Sequence, residues 1–337
     1  MNSLYKKNFL KMSDFNKTEI YEIINLSDFL KKKNRMKQEL QYLKKKKIAL
    51  IFEKQSTRTR CAFEVAIFDQ GGYSSYIESK NIHLGYKESI SDTAKVLERM
   101  YDGIQYRGHD HKNIKILSQN INIPVWNGLT EKYHPTQLLA DLLTIQEYSP
   151  NKLINNIILA YVGDASNNIA NTMLETAHIM GFELRLVAPK KYWPNKKLLN
   201  KYQSNNKIIC TESIQEGVKQ VDFIYTDVWM SMGESSTILH DKILSLKNYQ
   251  INNKMLKLTQ NNNVQVLHCL PALHDNTTKV GKKISQLYNF NDGIEITNEV
   301  FQKYQNIIFQ QAENRLHTIK SMMIKTLTKI NLSDLKK

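Results

Sequence analysis

Residues 56–60, Ser-Thr-Arg-Thr-Arg, come three residues after the apolar run 48–52 and gather three hydroxyls and two guanidiniums in one short turn. Such groups, with the free backbone N–H groups of a helix start, are what a phosphate needs. Taken alone, the segment reads equally as a capped helix with solvated arginines. It lacks the glycines of a P-loop or a dinucleotide fingerprint, so nucleotide binding is not indicated. Arg107 closes the strand-like DGIQYR, where it could reach the same anion. His134-Pro135-Thr136-Gln137 follows the strand-like run 123–127. Pro135 suits a first helical turn, and His134 and Gln137, three apart, could then face one ligand; a turn with a satisfied histidine is the bland alternative. In the second half Asn167-Asn168 follows VGD, Asp227 and SMGE follow an apolar run, and Cys269-Leu270-Pro271 ends another. Their ordinary readings are a helix cap, a strand end and a small buried thiol. Cys269 has only the neighbouring His268 as an evident partner, which argues against a covalent cysteine mechanism. The histidines at 83, 109, 134, 268 and 274 show no metal-site spacing, and neither metal nor cofactor is expected.

The elements that must hold these residues alternate. A helix is expected over 17–33, a strand at 48–52, and a helix with Phe63, Ala66 and Ile67 on one face, ended by Gly71-Gly72. Strand YSSYI, a helix near 90–101, strand DGIQYR, a helix after 110, strand 123–127 and a helix from HPTQ to about 148 complete the first half. NIILAYVGD, FELRLVAP, VDFIYTDV and VQVLHCLP read as strands of a second half, and the C-terminal run without Gly or Pro as one long or broken helix. This is an α/β pattern of two doubly wound parallel sheets, Rossmann-like, in which ligands bind at the carboxyl ends of the strands. The expected domains are 1–150 and 151–318, with 319–337 a helix packing back on the first.

Composition limits the alternatives. At 337 residues with 41% apolar and 23% charged residues, a two-domain globular protein is expected, with no run long enough for a membrane helix; no secretory signal is expected, and the cytoplasm is the expected compartment. Cys61, Cys210 and Cys269 are too few and too scattered for a disulfide framework. The net charge of +15 invites a nucleic-acid reading, but the excess is almost wholly lysine, travelling with Asn and Ile along the chain. Arginine, the usual reader of base edges and phosphate forks, occurs at only seven positions: 35, 58, 60, 99, 107, 185 and 315.

Six segments in order, FEKQSTRTR, MYDGIQYRG, HPTQ, DVWMSMGE, HCLP and QAENRLH, closely resemble the aspartate/ornithine carbamoyltransferase family over nearly the whole chain. DVW-x-SMGE and HCLP are similar to the ornithine-specific members, against relatives that carbamoylate putrescine, N-acetylornithine or aspartate. The resemblance implies carbamoyl phosphate contacts from Ser56, Thr57, Arg58, Thr59, Arg107, His134, Pro135, Thr136, Gln137 and Arg315, with Cys269 and Leu270 beside the reacting group. It gives Arg107, His134, Thr59 and Cys269 the catalytic roles, and Asn168, Asp227, Ser231 and Met232 the ornithine. The segment NIHLGYKES resembles the family loop that enters a neighbouring subunit's site, which assigns His83 to carbamoyl phosphate. The implied assembly is a trimer, or a multiple of trimers, with active sites at subunit interfaces.

Overall fold

The computed structural model describes residues 3–78, 87–203, 207–230, 236–290 and 292–330, without the side chains of 236 and 238. His83, Ser231 and Met232 therefore lie outside the described residues. The chain forms two compact units, residues 1–143 with 313–337, and residues 144–312.

The first unit runs α1 (Lys17–Arg35), β1 (Lys47–Phe52), α2 (Thr57–Asp69), β2 (Tyr73–Glu78), α3 (Ile90–Glu98), β3 (Gly103–Arg107), α4 (His111–Gln119), β4 (Val125–Leu129) and the start of α5 (Pro135–Tyr148). Its strands lie in the order β2-β1-β3-β4, all parallel. The helix starts follow from local chemistry: Asn16 and Glu19 form a capping box on α1, and Ser56, Ser89 and Asp110 cap α2, α3 and α4. The expected face of α2, Phe63, Ala66 and Ile67, is buried. A separate cluster joins Ile104, Tyr106 and Val125 of the sheet to Ala94 and Leu97 of α3 and Ile114 and Leu117 of α4.

The second unit continues with β5 (Ile158–Val162), α6 (Asn168–Met180), β6 (Glu183–Val187), α7 (Lys196–Tyr202), β7 (Ile208–Thr211), α8 (Ile214–Val218), β8 (Phe223–Thr226), α9 (Ser236–Leu246), α10 (Asn253–Leu258), β9 (Gln265–His268), α11 (Lys279–Tyr288) and α12 (Asn298–Leu327). Its sheet is parallel throughout, in the order β7-β6-β5-β8-β9. The edge strand β7 was not expected from sequence; it has only four residues, of which only the first is buried, too short a stretch to stand out.

The last part of α12 returns to the first unit. There Ile319, Met322, Met323 and Ile324 are buried, Thr326 Oγ1 accepts the Trp126 indole N–H at 3.1 Å, and Ser321 pairs with Ser27 at 2.9 Å. Lys320 is fully buried between Glu39 (2.7 Å) and Asp69 (2.6 Å). This lysine departs from the solvated-surface reading of the lysine surplus: it bridges two carboxylates within the unit. Among the described residues no helix is long and apolar enough to cross a membrane.

Candidate active site

In the first unit the chain leaves the buried strand β1 and turns at Ser56 into α2. The Ser56 hydroxyl accepts the Thr59 backbone N–H at 3.2 Å, so the helix start is indeed capped. The capping account does not extend to the side chains beyond it. Thr59 is completely buried, and its hydroxyl oxygen accepts from two guanidiniums, Arg107 Nη1 at 3.1 Å and Arg315 Nη2 at 2.9 Å. Arg107 comes from the end of β3 and Arg315 from α12, so three elements meet on one oxygen. Arg60 points elsewhere: it pairs with Glu64 at 2.9 Å and stacks 3.9 Å from the Tyr76 ring, as a surface arginine does.

The concentration of positive charge is visible in the titration of its members. Burial, then Arg315 and Arg58, push the Arg107 guanidinium down to about 9. His134, buried just before α5, is held well below its ordinary value by burial and then by Arg315, Arg107 and Arg58. Its imidazole is neutral at physiological pH, and a neutral imidazole donates one hydrogen bond without adding charge. Thr136 Oγ1 lies 3.4 Å from His134 Nδ1, and Pro135 opens α5. Gln137 donates Nε2–H to Asp141 at 2.9 Å, which fixes its amide and leaves the buried carbonyl Oε1 without a hydrogen-bond partner among the described residues. Three guanidiniums and a neutral imidazole drawn together at these strand ends suit a small dianion.

Two supporting residues escaped sequence reasoning. Glu53 accepts the Tyr106 hydroxyl at 2.7 Å and the His109 N–H at 3.0 Å, tying the exit of β1 to that of β3. Gly128 leaves room for its neighbours: a Cβ there would run into the Gln105 side-chain amide and come within 3.2 Å of Thr59 Cγ2.

The second unit gathers its own set at the ends of β5, β8 and β9. Asp227 Oδ1 accepts the Val228 N–H at 2.8 Å and the Cys269 thiol at 3.0 Å, and Oδ2 lies 3.3 Å from Asn167 Nδ2. Burial raises the Asp227 carboxyl, against the lowering effect of the Cys269 bond, of His268 and of the Val228 N–H. Asn167 also donates to the Tyr161 hydroxyl at 2.8 Å and caps α6, whose first residue is Asn168. Cys269 thus has a carboxylate partner that no local motif disclosed, and the thiol acts as a donor to it. His268 faces the other way. Its Nδ1 accepts the Leu270 N–H at 2.9 Å, so Nε2 carries the proton and donates to Glu295 Oε1 at 3.2 Å. That bond holds Leu270 at φ +56°, a conformation ordinary side chains resist, ahead of the cis peptide to Pro271. Glu295 is 27 residues from His268 and had no sequence signal.

Two family models match successive parts of the chain. Residues 7–147 match the family model described as aspartate/ornithine carbamoyltransferase, carbamoyl-P binding domain, and residues 155–326 its Asp/Orn binding domain. The chain is 57% identical to an ornithine carbamoyltransferase of Buchnera aphidicola subsp. Schizaphis graminum, over 98% of this chain and 99% of that one. A relative of the same name from Blochmanniella floridana is 55% identical over 97% and 96%. Among solved structures, ornithine carbamoyltransferase from Pyrococcus furiosus superposes with a TM-score of 0.87 at 31% identity, covering 98% of this chain and 100% of that one. The anabolic ornithine carbamoyltransferase of Campylobacter jejuni gives 0.82 at 35% identity, covering 94% and 97%. With both family models matched along the chain and the strand-end residues gathered as described, the chain belongs to the aspartate/ornithine carbamoyltransferase family.

Proposed function

We infer that the chain transfers the carbamoyl group of carbamoyl phosphate to the δ-amine of L-ornithine, releasing L-citrulline and phosphate. The observation that carries the reading is the convergence of Arg107 and Arg315 on the buried Thr59 hydroxyl, beside Arg58 and a neutral His134. The first unit is the carbamoyl-phosphate domain in this account, and the second the ornithine domain.

The reaction is acyl transfer without a covalent enzyme intermediate. The amine attacks the carbonyl carbon, negative charge develops on the carbonyl oxygen, and the bond to phosphate then breaks. Donors are needed at both places, already oriented. Arg58 with the Ser56, Thr57 and Thr59 helix start serves the phosphate; Arg107, Thr59 and His134 serve the carbonyl oxygen. Gln137, through its Oε1, accepts from the carbamoyl amide, and Thr136 and Pro135 hold His134 in place. His134 acts as a neutral donor, so the cluster gains no fourth positive charge. Asp227 binds the ornithine α-ammonium, while Asn168, Ser231 and Met232 fix the amino-acid head. Cys269 and Leu270 lie beside the reacting carbon. The δ-amine must attack unprotonated although its reference pKa is near 10.4, and the departing phosphate is the final proton acceptor. His83 reaches carbamoyl phosphate from an adjacent subunit.

The assembly is a homotrimer or a multiple of trimers. Phe68 on α2, 78% exposed, and Tyr73 on the edge strand β2, 67% exposed, are apolar side chains that a subunit contact would cover. The biosynthetic direction, toward arginine, is favoured by the likeness to the anabolic enzyme, and the three free cysteines fit the reducing cytoplasm. Purified protein given carbamoyl phosphate and ornithine is expected to form citrulline and phosphate in equal amounts. No citrulline above the no-enzyme control, or enzyme-dependent phosphate release that does not need ornithine, would overturn the reading.

A further inference from the structure

Lys242 stands apart from the lysine surplus of this chain. It lies on α9 beside the buried Ile243, its side chain only 5% exposed, with Nζ 2.9 Å from Oδ2 of an equally covered Asp164. Such a pair adds little net stability, because desolvation of both charges offsets their attraction, and an apolar pair of similar volume would fold as well. What it does is local. Asp164 stands just past β5, and its other oxygen accepts the Ser166 N–H at 3.0 Å and hydroxyl at 2.6 Å. The carboxylate therefore shapes the turn that delivers Asn167 and Asn168 to the head of α6. Asn167 bonds both Asp227 and Tyr161. Burial and then both carboxylates, Asp227 and Asp164, push the Tyr161 phenol upward, so the two acids act on one buried cluster. Glu295, a further buried acid of this unit, is engaged by His268 Nε2 and the Leu273 N–H.

We propose that Lys242 is a positioning residue that sets substrate specificity: it neutralises Asp164, so that Asp227 is the carboxylate meeting the substrate ammonium and the turn at Asn168 accepts a substrate that carries its own carboxylate. The inference rests on the function proposed above and concerns the choice among amines. Without Lys242, an uncompensated carboxylate at the end of β5 repels an α-amino acid and tolerates a diamine that has no carboxylate.

The test compares Lys242→Met, Lys242→Arg and the double variant Lys242→Met with Asp164→Asn, by steady-state kinetics with ornithine, putrescine and carbamoyl phosphate. Lys242→Met is expected to raise the ornithine KM about tenfold, the effect of one unscreened like charge nearby. The carbamoyl-phosphate KM should stay within twofold, and the preference for ornithine over putrescine should narrow. Lys242→Arg keeps the charge and the wild-type preference. The double variant removes both charges and recovers the ornithine KM to within threefold of wild type, and it carries the test alone if the single variant does not fold. An unchanged ornithine KM in Lys242→Met, a double variant as impaired as the single one, or a common shift of all KM values overturns the proposal. Each variant is scored against the wild type on the same amine, so inactive wild type refutes the proposed function and leaves a separate signature.

Discussion

Thr59→Val replaces the hydroxyl on which Arg107 and Arg315 converge by a methyl of nearly the same shape. The residue stays β-branched, the backbone N–H still reaches Ser56, and the volume of the buried site is conserved, so what is lost is one oxygen. Two guanidinium bonds, at 3.1 and 2.9 Å, lose their acceptor together. A hydrogen bond to a charged group is worth about 1.5 kcal/mol at the lower end of the usual range, so two amount to about 3 kcal/mol, or roughly 10² in a rate or binding constant. The arginines then repel each other without an intervening oxygen, and both leave the geometry the carbonyl oxygen needs. The assay is citrulline formation with carbamoyl phosphate varied at saturating ornithine. A fall of about 10² in kcat/KM for carbamoyl phosphate is expected, with the ornithine KM little changed. Thr59→Ser restores the oxygen at the expense of one methyl and should stay within about tenfold of wild type. A Thr59→Val protein with wild-type kcat/KM would refute the view that this hydroxyl organises the two guanidiniums for catalysis.

Three further expectations address the other half of the account. Asp227→Asn should raise the ornithine KM at least about tenfold, as loss of a charged hydrogen-bond acceptor does, and leave carbamoyl-phosphate affinity unchanged; lost activity with unchanged ornithine affinity would remove Asp227 from the substrate ammonium. Cys269→Ala takes away a bond that lowers the Asp227 carboxyl, so the acid limb of kcat/KM for ornithine should move to higher pH, and a limb that stays in place contradicts the coupling. His317, pushed down to about 4 mainly by burial, is neutral when folded and takes up a proton when unfolded below its reference 6.5. Its contribution to stability is complete above about 6.5 and is lost as pH falls toward 4, at up to about 1.4 kcal/mol per pH unit. Urea unfolding of His317→Gln between pH 5 and 6.5 should therefore show a flatter pH dependence than wild type, and parallel slopes would count against it.

The strand ends were readable because apolar runs mark parallel strands, and in such a sheet the next residues face the ligand. The segments at 56–60, 134–137 and 167–168 and Asp227 and Cys269 all stand there. What sequence could not give was pairing across long separations. Arg315 meets Thr59 across 256 residues, and Cys269 meets Asp227 across 42. Neither distance leaves a periodic trace. The lysine surplus concealed Lys242 and Lys320, because a buried lysine and a solvated one look alike until their carboxylate partners are known. The chain also crosses between its compact units at 143–144 and 312–313, inside α5 and α12, where no Pro- or Gly-rich linker marks the place.

The central claim is that donors at the end of β1 and β3 activate carbamoyl phosphate for one particular amine. It is tested most directly by measuring kcat/KM for citrulline or its counterpart, together with phosphate release, for ornithine, putrescine, N-acetylornithine and aspartate side by side. Ornithine is expected to react and the other three to lag by orders of magnitude. Turnover of any of them with ornithine inert would contradict the account.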